Sequence, residues 1–317
     1  MTNHRRVRLA AALVALLAAG VGCDGSSGEQ GPPVPGTPAE PTIVATDGRG
    51  AVSVVAVGDI SDCSGDRCPA ARTAALTASH QPDVVLALGD LQYPSGALAD
   101  FEAEYDQTWG ALRDVTLPVP GNHEYYTEDA AGYYAYFGAT ARPATGGYYS
   151  YDVGAWHLAA LNTNNECRHV ACDDGSDQQR WFADDLAASD ARCTIAYWHH
   201  PRWSTGEHRD IEAVDALWRT AAAGGVDLVL NGHDHDFERF APQDGLGQAD
   251  PDGVTEMVVG TGGRELRPFA APEHPLTEFR KAQRYGVLRL LLAPASYRWE
   301  FVAVGGEVLD SGRADCG

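Results

Sequence analysis

From residue 52 onward, short apolar runs alternate with helical patterns, and this alternation restricts the fold more than any other feature of the chain. Val52–Val57 is a β-branched run typical of a buried strand, and the Ala-rich stretch Pro69–Ser79 has a helical pattern. Repeated strand–helix–strand units favour parallel strands with faces covered by helices. The other predicted strands cover residues 83–88, 116–120, 148–153, 156–161, 194–198, 227–231, 256–259, 285–292 and 297–304, and the other predicted helices cover 97–109, 176–188 and 211–223.

The last part of the chain is dominated by strands, which predicts a second sheet packed on the first. The runs at 148–153 and 156–161 are predicted to pair as a hairpin around Gly154. No internal repeat and no second linker interrupts the pattern after residue 50, so one domain is predicted over residues 51–317.

Five of the predicted strands end in polar residues that can bind a metal ion. In an open α/β sheet, ligands bind beyond the carboxyl ends of the strands, so we expect these side chains to meet at one edge. Glycine precedes most of them and lets the chain turn sharply there. The strand-end sequences are Gly58-Asp59, Gly89-Asp90, Gly121-Asn122-His123, His199-His200 and Gly232-His233-Asp234-His235.

The donor atoms of this set are carboxylate and amide oxygens and imidazole nitrogens, with no thiolate. Such a mixture suits Fe, Zn or Mn better than a soft metal. The donors outnumber the four ligands of one tetrahedral ion. The sequence therefore predicts two metal ions that share a carboxylate.

The ordered motifs GD, GDxxY, GNH[DE], a strand-end His and GHxH resemble those of the calcineurin-like metallophosphoesterases. Within that superfamily, the Tyr of Gly89-Asp-Leu-Gln-Tyr93 and the string from His233 to Arg239 are similar to the purple acid phosphatases. The resemblance spans residues 58–240, and five motifs in order, each after a predicted strand, are far more specific than any one of them. It departs at Asp59-Ile60-Ser61, where the family often has DxG. The implied fold is a four-layer α/β/β/α sandwich with two mixed sheets and a dinuclear metal site at the C-terminal ends of the strands.

The resemblance assigns seven side chains to the two metal ions. The implied ligands of the first ion, typically Fe(III) in that family, are Asp59, Asp90, Tyr93 and His235. The implied ligands of the second ion, which would be Fe, Zn or Mn, are Asp90, Asn122, His199 and His233. Asp90 would bridge the two ions. The alternative for Tyr93 is a packing or hydrogen-bonding role in its loop.

Two histidines are implied as catalytic residues outside the metal ligands. His123 follows Asn122, and the spacing from His199 to His208 resembles that of mammalian purple acid phosphatases. Both would contact the phosphate and assist the leaving group, a task that suits a side chain able to exchange protons near neutral pH. The alternatives are a turn-stabilising role for His123 and a non-catalytic role for His208, which lies on a loop whose position the sequence does not fix.

Four other residues near these motifs receive weaker predictions. His200 either contacts the substrate or caps its strand, and Glu124 either orients a neighbouring histidine or faces solvent. His157 lies within an alternating strand and is predicted to be structural. Glu238 is predicted to pair with its neighbour Arg239.

The predicted function is metal-dependent hydrolysis of phosphate esters by a metal-bridged hydroxide, as in an acid phosphatase that acts on monoesters. One alternative is a phosphodiesterase with the same dinuclear site. Another is a non-catalytic exported lipoprotein that binds metal or phosphate.

The partner is predicted to be a small phosphorylated molecule. Nucleic acid is excluded, because 23 basic against 44 acidic side chains give a net charge of −21.

The N-terminal sequence predicts export. Basic residues precede an apolar run at 9–19 that is shorter than the roughly 20 residues a membrane-spanning helix needs. Residues 1–22 are therefore predicted to be a signal peptide, and Cys23 resembles the acylated cysteine of a bacterial lipoprotein, although Gly20 departs from that pattern. A linker rich in Gly, Pro and Ser is predicted over residues 23–50. The predicted location is the cell envelope or the medium, with membrane contact only through a lipid at Cys23.

Six cysteines follow Cys23, and an even number in an exported chain favours three disulfides. Six cysteines allow 15 pairings. The short spacings from Cys63 to Cys68 and from Cys167 to Cys172 favour two local pairs, which would leave Cys193 to pair with Cys316.

Overall fold

The computed structural model describes residues 50–63 and 68–317. The predicted signal peptide, Cys23 and nearly all of the predicted linker lie outside the described residues, so these three assignments remain predictions. Among the residues that are described, no helix combines the length and apolar character needed to cross a bilayer.

The described part contains strands throughout its length. In chain order they are β1 (Val52–Val57), β2 (Val84–Leu88), β3 (Thr116–Val119), β4 (Tyr149–Val153), β5 (Trp156–Ala160), β6 (Cys193–Tyr197), β7 (Leu228–Asn231), β8 (Phe237–Phe240), β9 (Thr255–Val259), β10 (Thr277–Lys281), β11 (Gly286–Ala293), β12 (Ser296–Ala303) and β13 (Val308–Asp315).

Helices occupy most of the longer connections between these strands. The main ones are α1 (Pro69–Ser79), α2 (Ala131–Phe137), α3 (Asp177–Ala188) and α4 (Asp215–Ala223). A continuous helical segment runs through Leu98–Asp100, the π-helical Phe101–Tyr105 and Asp106–Thr108. Short 3-10 turns cover Gly110–Val115, Glu124–Tyr126, Glu128–Ala130, Gly138–Ala141, Pro143–Thr145 and Glu212–Val214.

The strands form two mixed sheets, as predicted. The first has the order β13-β12-β11-β1-β2-β3, and the second has the order β10-β8-β9-β7-β6-β5-β4. Parallel pairs join β1 to β2 and β2 to β3 in the first sheet, and β5 to β6, β6 to β7 and β7 to β9 in the second. Antiparallel pairs make up the rest of both sheets.

The two sheets pack face to face, and helices cover their outer surfaces. Val54 of β1 and Ile195 of β6 belong to one buried apolar cluster between the sheets. A second buried cluster joins Trp198, which follows β6, to Phe182 of α3 and Trp218 of α4. These layers confirm the predicted α/β/β/α sandwich.

The predicted elements agree with the structure best where the apolar pattern is strongest. β1 and α1 match their predicted bounds, and most other predicted strands shift by only one residue at an end. The predicted helix at 211–223 divides into a 3-10 turn and α4. Strands β8, β10 and β13 and helix α2 were absent from the prediction.

The three disulfides have the pairing that the cysteine spacing favoured. Cys63 bonds to Cys68, Cys167 to Cys172, and Cys193 to Cys316. The third bond joins the first residue of β6 to the penultimate residue of the chain. Disulfides of this kind accord with an oxidising compartment.

His157 of β5 has the structural role that was predicted for it. Its Nδ1 lies 3.0 Å from Asp152 Oδ1 on β4, and its Nε2 lies 2.9 Å from Asp185 Oδ2 on α3. Burial lowers the pKa of His157, but the hydrogen bonds to Asp185 and Asp152 outweigh it and leave the pKa above its ordinary value. The His157 side chain therefore joins β5 to a strand and a helix.

We expect this cluster to make stability depend on pH. Because the folded pKa is raised, the stabilisation is full below the ordinary value of 6.5 and is lost as pH rises through the raised value. His157→Gln should lower the free energy of unfolding by about 1–2 kcal/mol at about pH 5.5 and by less at about pH 9. Urea unfolding of both proteins at the two pH values measures this. An equal difference at both would contradict it.

Candidate metal centre

The predicted metal ligands come together where the carboxyl ends of the strands of both sheets meet. Asp59 follows β1 and Asp90 follows β2 in the first sheet, while His199 follows β6 in the second. The Gly89 backbone lies so close to the His199 side chain that a Cβ on Gly89 would be 2.6 Å from His199 Nδ1. Gly89 also has a φ of +85°, which glycine adopts without strain.

The four predicted ligands of the first ion form a tight group around the Tyr93 hydroxyl. This oxygen lies 2.9 Å from Asp59 Oδ1, 3.2 Å from Asp90 Oδ2 and 3.3 Å from His235 Nε2. His235 Nδ1 is 2.7 Å from the carbonyl oxygen of Glu265, which directs Nε2 into the group. Tyr93 is buried, and its hydroxyl belongs to this group rather than to apolar packing.

The predicted ligands of the second ion lie on the other side of Asp90. His199 Nε2 is 3.3 Å from Asp90 Oδ2, and His199 Nδ1 is 2.8 Å from the carbonyl oxygen of Leu88. The rings of His199 and His233 are 5.1 Å apart. The turn that carries Asn122 is fixed to Asp90, because the His123 N–H donates to Asp90 Oδ1 at 2.8 Å. Asp90 is thus in the position of a bridge.

The polar atoms of this group fit a bound cation. Asn122 Nδ2 donates to the Tyr126 hydroxyl at 3.3 Å, which leaves Oδ1, the atom of an amide that binds cations. Within residues 50–63 and 68–317, Asn122 Oδ1 is buried without a hydrogen-bond partner, and His199 Nε2 is buried with Asp90 Oδ2 at 3.3 Å but in no well-formed hydrogen bond. Buried polar atoms in folded proteins usually have a partner, and an ion or an ordered water can supply it. Carboxylates, phenol, amide and imidazoles around one point provide the chemistry for two ions.

The site perturbs the proton affinities of its members. Burial, together with the charges of Asp59 and Asp90, raises the pKa of the Tyr93 hydroxyl well above its ordinary value. Burial lowers the pKa of His199, but the charge of Asp90 outweighs this and raises it to about 9. A bound cation acts in the opposite direction on both groups, because it favours the phenolate and the neutral imidazole.

Both predicted catalytic histidines lie beside predicted metal ligands. His123 Nδ1 is 2.6 Å from the Pro94 carbonyl oxygen, and its ring centre is 4.2 Å from that of Tyr93. The ring centre of His208 is 4.3 Å from that of His233. The loop that carries His208 thus lies beside His233. The Arg267 guanidinium donates to His208 Nε2 at 3.1 Å and orients its ring.

Glu124 has neither of the roles that were predicted for it. Its side chain is buried and accepts four hydrogen bonds from backbone N–H groups. Oε2 accepts from Gly121 at 2.7 Å and Asp90 at 2.9 Å, and Oε1 accepts from Leu91 at 2.9 Å and Gln92 at 3.3 Å. Glu124 thus fixes the turns after β2 and β3, which carry Asp90 and Asn122.

Two further buried carboxylates hold the loop that carries His208. Asp234 Oδ1 accepts the backbone N–H of His208 at 2.8 Å, and Glu238 Oε2 accepts that of Thr205 at 2.8 Å. The sequence had no signal for these contacts beyond acidic residues beside and after the GHxH motif. The predicted Glu238–Arg239 pair was wrong, because neighbouring strand residues face opposite sides. Arg239 instead binds Asp310 and Glu278.

The fold and the site are of the metallophosphoesterase type. Helices cover two mixed sheets, and a group of carboxylates and imidazoles lies at the strand ends. The family model of the calcineurin-like phosphoesterases matches residues 52–237. The chain belongs to this family.

Known relatives point to one branch of the family. Purple acid phosphatase 15 of Arabidopsis thaliana is 29% identical over 232 residues, which are 62% of this chain and 42% of that protein. Purple acid phosphatase 21 of the same plant is 31% identical over 238 residues, or 66% and 51%. The solved structure of a purple acid phosphatase from yellow lupin seeds has a TM-score of 0.67 at 20% identity, covering 84% of this chain and 54% of that one. The chain thus spans about half the length of these relatives.

Proposed function

We propose that the protein hydrolyses phosphate esters of small molecules with two metal ions, in the manner of a purple acid phosphatase. The observation that supports this proposal is a buried group of predicted ligands in which the Asp90 carboxylate contacts both the Tyr93 hydroxyl and His199 Nε2. A non-catalytic binding protein has no need for two histidines, His123 and His208, beside that group. The family membership and the relatives support the same reaction.

The ions, when bound, would polarise the phosphoryl group and activate water as a nucleophile. The protein's own residues would do the rest. Asp90 would keep the two ions at a fixed spacing. His123 and His208 would contact the phosphoryl oxygens, stabilise the charge that develops on them and give a proton to the leaving oxygen. Arg267 would hold the His208 ring in place for that contact.

The experiment that tests the function combines metal analysis with two substrates. The purified protein, incubated with Fe, Zn or Mn, should contain two ions per chain and hydrolyse p-nitrophenyl phosphate faster than bis-p-nitrophenyl phosphate. Faster cleavage of the diester would favour the phosphodiesterase. Fewer than one ion per chain and no hydrolysis of either substrate would contradict the proposal.

We propose Fe(III) for the first ion and Fe, Zn or Mn for the second. The Tyr93 hydroxyl among two carboxylates supports this, because an anionic oxygen set suits a hard cation. A phenolate bound to Fe(III) absorbs visible light, so Tyr93→Phe should abolish the visible band of the iron-loaded protein. Tyr148→Phe is the control, because Tyr148 packs on Trp181 away from the site. A visible band unchanged in Tyr93→Phe would exclude Tyr93 as an iron ligand.

We also propose that the chain is exported and carries a lipid at Cys23. The N-terminal sequence and the three disulfides support export. Cells that are fed labelled palmitate should label the wild-type protein and not Cys23→Ser. Equal labelling of both would contradict the anchor.

A further inference from the structure

His200 is buried at the end of β6, next to two predicted ligands of the second ion. Its Nδ1 lies 2.9 Å from the Thr163 hydroxyl, which also accepts the His200 backbone N–H at 3.2 Å. Its Nε2 is buried and has no hydrogen-bond partner in the described part of the chain. A buried nitrogen without a hydrogen-bond partner destabilises the folded protein unless a ligand binds it.

Three imidazoles lie together where the second ion is predicted to bind. The ring centre of His200 lies 4.9 Å from that of His199 and 4.4 Å from that of His233, while His199 and His233 are 5.1 Å apart. Each offers a nitrogen, and these nitrogens lie within 4.8 Å of one another. Two nitrogens bound to one ion at about 2.1 Å are at most about 4.2 Å apart, so small side-chain rotations bring all three to one ion.

His200 is also held in the way that the predicted histidine ligands are held. His199 and His235 each use Nδ1 to bind a backbone carbonyl oxygen, which turns Nε2 towards the ions. The Thr163 hydroxyl contacts Nδ1 of His200, and in the tautomer in which its oxygen accepts the Nδ1 proton, Nε2 keeps a free lone pair. Metal-binding histidines have this pattern, with one nitrogen fixed by a protein partner and the other on the ion.

We propose that His200 Nε2 is a further ligand of the second metal ion, in addition to Asp90, Asn122, His199 and His233. The proposal rests on the dinuclear centre of the proposed function. It assigns the second histidine of the His199-His200 pair to the ion rather than to the substrate or to a strand cap.

The test compares the wild-type protein with His200→Phe, which replaces the imidazole by an aromatic ring without nitrogens. Zinc affinity of the second site is measured by competition with a chelator, and the melting temperature is measured without metal. Because loss of a mere supporting contact weakens metal binding about 10–100-fold, loss of a direct ligand should weaken it by at least about 100-fold. The metal-free variant should melt no lower than the wild type, because an unpartnered nitrogen has been removed.

His199→Ala shows whether a negative result concerns only the His200 assignment or the proposed dinuclear centre as a whole. If the wild type binds two ions, His199→Ala loses one and His200→Phe binds zinc as tightly as the wild type, the His200 assignment is overturned and the proposed function stands. If the wild type itself does not bind two ions, both are overturned. Should His200→Phe fail to fold, Thr163→Val takes its place, with an expected loss of about 10-fold in zinc affinity. Unchanged affinity in that variant overturns the assignment.

Discussion

Asp90→Asn is expected to lower kcat/KM for p-nitrophenyl phosphate by at least about 10³-fold, the largest effect among the single substitutions considered. Asp90 Oδ2 lies 3.2 Å from the Tyr93 hydroxyl and 3.3 Å from His199 Nε2, between the two halves of the centre. An amide is neutral and offers only one oxygen, so it cannot bridge two cations. Stabilisation of the transition state by metal ions is worth several kcal/mol, and about 4 kcal/mol corresponds to this factor.

Metal content decides whether the loss comes from the bridge. The variant should bind fewer than two ions per chain, and the exposed Asp114→Asn should behave as the wild type in both measurements. If Asp90→Asn kept two ions and more than a tenth of the activity, Asp90 would not be the bridge.

Glu124→Gln is expected to reduce both stability and activity, although Glu124 is not a predicted ligand. An amide nitrogen in place of one carboxylate oxygen leaves two of the four backbone N–H groups of its turns without an acceptor. Each unsatisfied buried group costs about 1–3 kcal/mol, which predicts a loss of about 3 kcal/mol in the free energy of unfolding. At about 2–4 °C per kcal/mol, the melting temperature should fall by about 6–12 °C. Activity should fall with it, because the turns that carry Asp90 and Asn122 lose their common anchor.

Thermal unfolding and p-nitrophenyl phosphate hydrolysis, measured below the melting transition, check this expectation. Glu102→Gln provides the matched control, because Glu102 is exposed and exposed substitutions usually change stability by less than about 0.5 kcal/mol. A melting temperature equal to that of the wild type would show that the four N–H groups find other acceptors.

The parts of the fold that could be predicted are those in which burial dictates the residue type. β2 is buried along its whole length, and β1 is buried at every residue except Ser53, so their sequences are almost entirely apolar. β13 is the edge of its sheet and largely exposed, so its sequence Val-Leu-Asp-Ser-Gly-Arg-Ala-Asp has no apolar run. α2 is built from tyrosines and small residues, and tyrosine is as common in hairpins as in helices.

The same distinction applies to the site. The predicted ligands follow directly after strands, and the end of a strand can be recognised in the sequence because the apolar run stops there. Glu124 and Asp234 accept hydrogen bonds from backbone N–H groups of other segments. Nearly every residue type has a backbone N–H group, so the sequence does not show which residues make these contacts. Contacts of this sort become visible only when the turns are in place. This is why the predicted ligands came together in the structure while their supports went unrecognised.

Neither sheet alone carries a complete binding site. The first sheet delivers Asp59, Asp90 and Asn122, and the second delivers His199 and the histidines after β7. A chain in which only one sheet has formed therefore presents only part of the predicted ligand set. Acquisition of the ions must then be a late event, after the two sheets have packed together. If the chain crosses a membrane unfolded, it takes its metal from the compartment in which it folds.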